Sequence, residues 1–133
     1  MNYFLAKTDP DTYSIDDFVK EGTTLWDGVH NNAAILFIQQ MQIGDRVYIY
    51  ESMSTKAIVG LAEVTTAPRL NIKDPRRSWV VDMKLLNKYQ KPLTLGEIKN
   101  NSDFKDFALV KQSRLSVMPV PKKVADSING LLH

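Results

Sequence analysis

Three segments with the pattern of β-strands follow one another in the middle of the chain, with no helical pattern between them. The first, residues 46–51, alternates Val47 and Ile49 with two tyrosines, so one pair should face the core and the other a second surface. The other two are the apolar runs of residues 57–64 and 78–86. Since strands and helices do not alternate regularly elsewhere, these segments predict an α+β fold whose sheet curls into a barrel-like shape.

Shorter elements are predicted on both sides of these strands. Ser14 and Asp17 have the spacing of a capping box, and Gly22 stands where the helix should end. Apolar residues recur at helical spacing over residues 32–41, and Gly60 inside the second strand indicates a bulge or a close approach. The remaining predictions are a strand over residues 1–7, a helix from Thr94 to about Asn100, a helical turn over 103–109, a strand over 116–120 and a helix over 122–128.

Length and composition bound the class of protein. A chain of 133 residues predicts one domain over residues 1–133, and the absence of cysteine excludes disulfides, thiol nucleophiles and cysteine zinc sites. Lys7 and Asp9 interrupt the opening apolar run, so we predict no signal peptide. The apolar run at 33–38 is far shorter than the roughly 20 residues of a membrane helix. We therefore expect a cytoplasmic protein with no membrane partner.

Charge is distributed unevenly along the chain. Residues 9–27 hold six acids and one base, whereas residues 68–91 hold seven bases and two acids. This asymmetry fits a face that attracts a polyanion, and it fits an ordinary surface of mixed charge equally well.

Sequence patterns of catalysis are weak. The chain has two histidines, and His133 is the last residue, which is usually a frayed position, so His30 has no histidine partner for a metal motif. Glycine-rich phosphate loops and the GxSxG motif of serine hydrolases are absent. We therefore predict no catalytic residues, no metal and no cofactor.

Binding has better candidates. Trp26, Asp27 and Gly28 place an aromatic face beside a carboxylate and a flexible turn, and His30 and Asn31 follow. Such a group suits a planar base, because stacking holds the ring and hydrogen bonds read its edge. The residue types alone favour a tryptophan that fills the core and an aspartate that caps a helix.

Six segments then share the motifs of one family. They are residues 3–10 (YFLAKTDP), 13–17 (YSIDD), 26–31 (WDGVHN), 44–52 (GDRVYIYES), 58–64 (IVGLAEV) and 114–120 (RLSVMPV). In this order they resemble the EVE domain family, a branch of the PUA-like superfamily. The resemblance implies a curled, mostly antiparallel sheet with short flanking helices and a pocket on one side.

The resemblance further implies a non-enzymatic module that binds a modified base in DNA or RNA through an aromatic-lined pocket. Trp26 would stack on the base, while Asp27, Asn31 and Ser52 would read its edge. The full set of implied ligand-binding residues is Lys7, Thr8, Asp9, Trp26, Asp27, Gly28, His30, Asn31, Tyr50, Ser52, Leu115 and Ser116. Arg69, Lys73, Arg76, Arg77 and Arg114 would contact phosphates.

Five positions depart from the family's pattern. His30 stands for a usual arginine, Asn32 for an aromatic residue, Ile35 for a basic residue, Glu51 for a histidine and Asp9 for a glutamate. These departures concern the ligand rather than the fold. A pocket for a free nucleotide or small molecule stays open beside the modified-base reader. So does a hydrolase or nuclease with a metal held by Asp27 and Glu51.

Overall fold

A seven-stranded sheet forms the centre of the computed structural model, which describes residues 1–132. Its strands are β1 (Tyr3–Thr8), β2 (Thr23–Trp26), β3 (Arg46–Glu51), β4 (Ala57–Val64), β5 (Arg69–Leu70), β6 (Trp79–Thr94) and β7 (Val117–Val120). The strand order is β2-β6-β4-β3-β1-β7, with β5 paired to β6. Every pair is antiparallel except β1 with β3, which confirms the α+β fold with a mostly antiparallel sheet. Within the described residues the end strands β2 and β7 do not pair, so the sheet is open and not a closed barrel.

Short helices flank the sheet. They are α1 (Ile15–Glu21), α2 (Asn32–Gln40), α3 (Leu95–Lys99), α4 (Ala108–Lys111) and α5 (Lys122–Leu131), with a 3₁₀ turn at Ser102–Phe104. None of the helices within residues 1–132 is long and apolar enough to cross a membrane. His133, expected to be frayed, lies outside the described residues.

Local hydrogen bonds explain where the first helix begins and ends. The Ser14 hydroxyl accepts from the Asp17 backbone N–H at 3.1 Å, and the Asp17 carboxylate accepts from the Ser14 backbone N–H at 2.9 Å. This is the predicted capping box, and Gly22, with φ of 74°, ends the helix as expected. The helix predicted from Thr94 also begins with a capping box, which Thr94 forms with Glu97.

The strand predictions are confirmed for residues 46–51 and 57–64 and wrong in two other places. The segment predicted to end at residue 86 continues to Thr94 as β6, and β2 was not predicted. β3 is also buried on both sides, since Tyr48 is 0% and Tyr50 is 4% exposed. The prediction that its tyrosines face a second surface is therefore wrong. Tyr48 instead packs on Tyr3 with ring centroids 5.5 Å apart.

Gly60 lies where β4 passes under α1. A Cβ atom at this position would stand 2.6 Å from Ile15 Cδ1 and 3.0 Å from the Asn87 carbonyl oxygen. The register of β4 shifts next to Gly60 on both neighbouring strands. The predicted bulge and close approach are both confirmed.

Candidate functional site

An open cleft of about 530 Å³ lies where three separate segments meet. The end of β1 supplies Lys7, Thr8 and Asp9, the end of β2 and its following turn supply residues 26–29, and Ser116 comes from the segment before β7. The volume is within the range of sites that hold a small ligand. The cleft is therefore the first candidate for a functional site.

Backbone contacts hold the β1 side of the cleft. The Lys7 backbone N–H donates to the Ser116 carbonyl at 2.8 Å, and the Lys7 ammonium donates to the Ser113 carbonyl at 2.9 Å. The ammonium also lies 5.9 Å from the centre of the Tyr50 ring, within reach of a cation–π contact. Burial lowers the pKa of Lys7 from its ordinary value. Lys7 is thus fixed in place while it faces the cleft.

Trp26 forms a wall of the cleft and is also part of the core. Its ring centroid lies 6.3 Å from those of both Tyr13 and Phe18, edge-on to the first and tilted against the second. Only 6% of the residue is exposed. A flat ligand in the cleft would therefore meet a small part of this side chain, and the rest of the ring stabilises the contact between β2 and α1.

The cleft is rich in hydrogen-bond acceptors. Three carboxylates, those of Asp9, Glu21 and Asp27, line it together with one ammonium, that of Lys7. The Tyr13 hydroxyl donates to Glu21 Oε1 at 2.5 Å, and burial together with this bond raises the pKa of Tyr13 to about 12. At neutral pH the cleft therefore presents several carboxylate acceptors and a protonated phenol.

A second groove, here called the Trp79 groove, opens beside the cleft with a volume of about 380 Å³. Trp79 forms part of its wall, and Arg76 and Arg77 bring positive charge. His30 also lies in this groove, where its Nε2 atom is 2.6 Å from the Asp74 carboxylate. The loop that precedes β6 is thereby tied to the turn that follows β2.

Asp74 organises that loop. Its carboxylate accepts from the Ser78 hydroxyl at 2.7 Å and from the Arg76 backbone N–H at 2.9 Å, besides its contact with His30. These partners stabilise the charged carboxylate and lower the pKa of Asp74 to about 2. One carboxylate therefore connects His30, Ser78 and the backbone of Arg76. Arg77 follows directly in the sequence.

A third depression, the Arg114 groove, lies next to the cleft on another side and encloses about 340 Å³. It is lined by Asn31 and Ala33 at the start of α2 and by residues 111–115, which include Lys111 and Arg114. The Asn31 side chain accepts from the Ala34 backbone N–H at 3.1 Å and so caps α2.

Comparison with known proteins decides the family. The sequence profile of the EVE domain matches residues 2–131. The chain belongs to the EVE domain family. The curated relatives include rat (Rattus norvegicus) thymocyte nuclear protein 1, which is 26% identical over 98% of this chain and 73% of its own length.

Solved structures show the same fold for this EVE domain. A hypothetical protein from Leishmania major has a TM-score of 0.90 and 31% identity, covering 98% of this chain and 94% of that one. The human THYN1 protein in complex with DNA containing 5-methylcytosine has a TM-score of 0.87 and 22% identity, covering 98% and 97%. At this identity the second likeness is one of fold. The expected PUA-like architecture is thereby confirmed.

Seven of the twelve ligand-binding residues implied by the EVE resemblance line the cleft together: Lys7, Thr8, Asp9, Trp26, Asp27, Gly28 and Ser116. The other five lie around it. His30 lines the Trp79 groove, whereas Asn31 and Leu115 line the Arg114 groove. Tyr50 is buried beneath Lys7, and the Ser52 backbone N–H donates to the Thr8 carbonyl at 2.9 Å.

The cleft also contains residues that sequence reasoning missed, namely Thr12, Tyr13, Glu21, Thr24, Leu25 and Val29. Tyr13 belongs to a segment that resembles the EVE family and could have been found through that motif. Glu21 and Thr24 carry no such signal, because α1 and β2 bring them to the cleft only through tertiary packing.

The residues implied as phosphate contacts fall into three places. Arg76 and Arg77 line the Trp79 groove, and Lys73 is exposed on the same loop. Arg114 lines the Arg114 groove. Arg69 lies on β5, where its guanidinium donates to the Thr66 hydroxyl at 3.0 Å and lies 3.5 Å from the Asp82 carboxylate.

The hypothetical metal pair of Asp27 and Glu51 finds little support in the geometry. Asp27 lines the cleft, but Glu51 is buried, and its carboxylate accepts from the Ile15 backbone N–H at 2.8 Å. Among residues 1–132 no group of three or more His, Asp or Glu side chains is placed to hold a metal ion.

Proposed function

We propose that this EVE domain is a non-enzymatic reader that binds a modified base, extruded from a DNA or RNA strand, in the cleft between β1 and β2. The observation that carries the proposal is the composition of the cleft. The aromatic side chains of Tyr13 and Trp26 line it, and carboxylates from three segments converge on a volume suited to one small ring system. The human THYN1 complex with DNA containing 5-methylcytosine supports the proposal from within the same fold.

The charge of the cleft favours the edge of a base over a phosphate. Asp9, Glu21 and Asp27 outnumber Lys7 there, so a phosphate would be repelled. Carboxylates accept hydrogen bonds from exocyclic amino groups, such as the N4 amino group of cytosine. We therefore expect the ligand to be an amino-bearing base, with its modification packed against the aromatic side of the cleft.

Extrusion of a base costs a few kcal/mol of lost stacking and pairing. Hydrogen bonds to a charged acceptor return about 1.5–3 kcal/mol each, so two of them offset that cost. Single-stranded DNA that carries the modified base is accordingly the first ligand to test, because extrusion of an unpaired base costs the least free energy.

The test is a titration of labelled oligonucleotides with plain cytosine, 5-methylcytosine, adenine or N6-methyladenine, at two salt concentrations. The wild type should prefer one modified oligonucleotide, and Asp27→Asn should weaken that binding about tenfold or more, since a charged acceptor is lost. Asp103→Asn is the matched control, because Asp103 is an exposed acid outside the cleft.

Trp26 requires a conservative variant. Truncation of a buried tryptophan to alanine costs about 3–5 kcal/mol of stability, which would confuse a loss of binding with a loss of fold. Trp26→Phe keeps most of the packing and should lower the preference for the modified base. Equal affinity for all four oligonucleotides, in the wild type and both cleft variants, would overturn the proposal.

A further inference from the structure

Two grooves lie on opposite sides of a short ridge beside the cleft. Val29 lines the cleft, His30 and Asn32 line the Trp79 groove, and Asn31 and Ala33 line the Arg114 groove. Successive Cα atoms are about 3.8 Å apart, so all three depressions meet within a few residues. On the far side, Ser116 of the cleft directly follows Leu115 of the Arg114 groove.

The grooves carry the opposite charge to the cleft. Arg76 and Arg77 line the Trp79 groove, and Lys111 and Arg114 line the Arg114 groove. Among residues 1–132 no acidic residue lines either groove, and the nearby Asp74 carboxylate is engaged by His30 and Ser78. Within residues 1–132 none of these four side chains forms an ion pair, although Arg46, Arg69 and Lys88 each do so elsewhere on the surface. The four cations are thus left for an external anion.

Arg77 of the Trp79 groove is held at a conformational cost. Arg77 has φ of 57°, in the left-handed region that favours glycine, and its backbone N–H donates to the Asp74 carbonyl at 3.2 Å. The Asp74 carboxylate in turn ties the loop to His30 on the ridge. A residue other than glycine in this region costs backbone strain, and such residues cluster at functional sites.

On the basis of the function proposed above, we infer that the two grooves bind the nucleic-acid backbone on opposite sides of the extruded nucleotide. One flanking phosphate contacts Arg76 and Arg77, and the base beside it stacks on Trp79. The phosphate on the other side contacts Lys111 and Arg114. The ridge of residues 30–33 stands between these two phosphates, where the strand bends to place its base in the cleft.

The test uses three single-stranded oligonucleotides of equal length, with the preferred modified nucleotide at the 5′ end, at the centre or at the 3′ end. Two double variants remove the charge of one groove each, Arg76→Gln with Arg77→Gln and Lys111→Gln with Arg114→Gln. Lys122→Gln with Lys123→Gln on α5 is the control, because these residues line neither groove.

With the modification at the centre, both groove variants should bind about tenfold more weakly, and each should reduce the salt slope by about 0.7, because each loses one phosphate contact on a single strand. With the modification at one end, the effect of one groove variant should disappear. With the modification at the other end, the effect of the other should disappear. The α5 control should match the wild type throughout.

Two results would overturn the inference in distinguishable ways. If the wild type prefers the modified base but both groove variants lose the same affinity at all three positions, the assignment of sides is wrong and the reader function stands. If the wild type shows no preference for any modified base, the proposed function fails and the inference fails with it.

Discussion

Substitution of Gly60 by alanine tests the contact between β4 and α1 directly. The new Cβ atom would stand 2.6 Å from Ile15 Cδ1 and 3.0 Å from the Asn87 carbonyl oxygen, both closer than ordinary van der Waals contact. Overpacking of this kind costs about 1–3 kcal/mol, while the lower entropy of the unfolded alanine chain returns about 0.4–1 kcal/mol. We therefore expect Gly60→Ala to lower the free energy of unfolding by about 1–2 kcal/mol in urea denaturation.

A second substitution isolates the responsible atom. Ile15→Val removes Cδ1, the atom at 2.6 Å, and leaves Cγ1 at an ordinary 3.5 Å. Alone it should cost about 0.5–1.5 kcal/mol. Combined with Gly60→Ala it should be about 1 kcal/mol more stable than the sum of the two single changes, because the closest contact is gone.

The control and the refuting result are equally specific. Gly96→Ala places its Cβ no closer than 3.9 Å to Thr94 Oγ1 and lies within α3, so it should stabilise the protein by up to about 1 kcal/mol. If Gly60→Ala is as stable as the wild type, the close approach of β4 to Ile15 does not constrain residue 60, and the reasoning is refuted. If the loss of stability in the double variant equals the sum of the two single losses to within about 0.5 kcal/mol, Ile15 is not the side chain that the new Cβ atom contacts.

Three further predictions concern the loop and the first helix. Since the pKa of Asp74 is lowered to about 2 from 3.8, its contribution to stability is present above the ordinary value and is lost as pH falls through about 2. Acid unfolding of Asp74→Asn should therefore depend less steeply on pH below 4 than that of the wild type. Arg77→Gly relieves the strain of the positive φ, so the free energy of unfolding, measured by thermal denaturation, should stay the same or rise by less than about 1 kcal/mol. The affinity for the oligonucleotide should fall, because a cation of the Trp79 groove is lost. Ser14→Ala removes the acceptor of the Asp17 backbone N–H and should cost about 1 kcal/mol in urea unfolding, whereas the exposed control Ser54→Ala should cost little.

Secondary structure could be predicted wherever local signals dominate. The capping box at Ser14 and the alternating residues 46–51 depend on neighbours in sequence, and both predictions are confirmed. β2 was missed because its four residues lie between Gly22 and the turn at Gly28, and its partners are residues of β6 some 55–61 positions away. The sequence of the second half of β6 is typical of a polar loop, because it contains Lys88, Gln90 and Lys91. In the structure these three side chains are exposed.

The candidate site could be predicted in part for the same reason. Motif resemblance located residues 7–9, 26–28 and 116, which meet in the cleft. The motif does not predict the direction in which each side chain points. Asn31 has φ of −67° and ψ of 130°, an extended conformation in which successive side chains point to opposite sides. His30 and Asn31, adjacent in sequence, consequently line different grooves.

The position of β1 in the sheet has a consequence for how the molecule is made. β1 lies between β3 and β7, so this strand receives its second partner only after residues 117–120 are synthesised. The Lys7 backbone N–H can likewise donate to the Ser116 carbonyl, its partner across the cleft, only after residue 116 has been synthesised. The cleft between β1 and the segment before β7 is therefore incomplete in a nascent chain until synthesis has passed β7. Pairing between such distant segments also closes large loops, which slows the last step of folding relative to the formation of the β3–β4 hairpin.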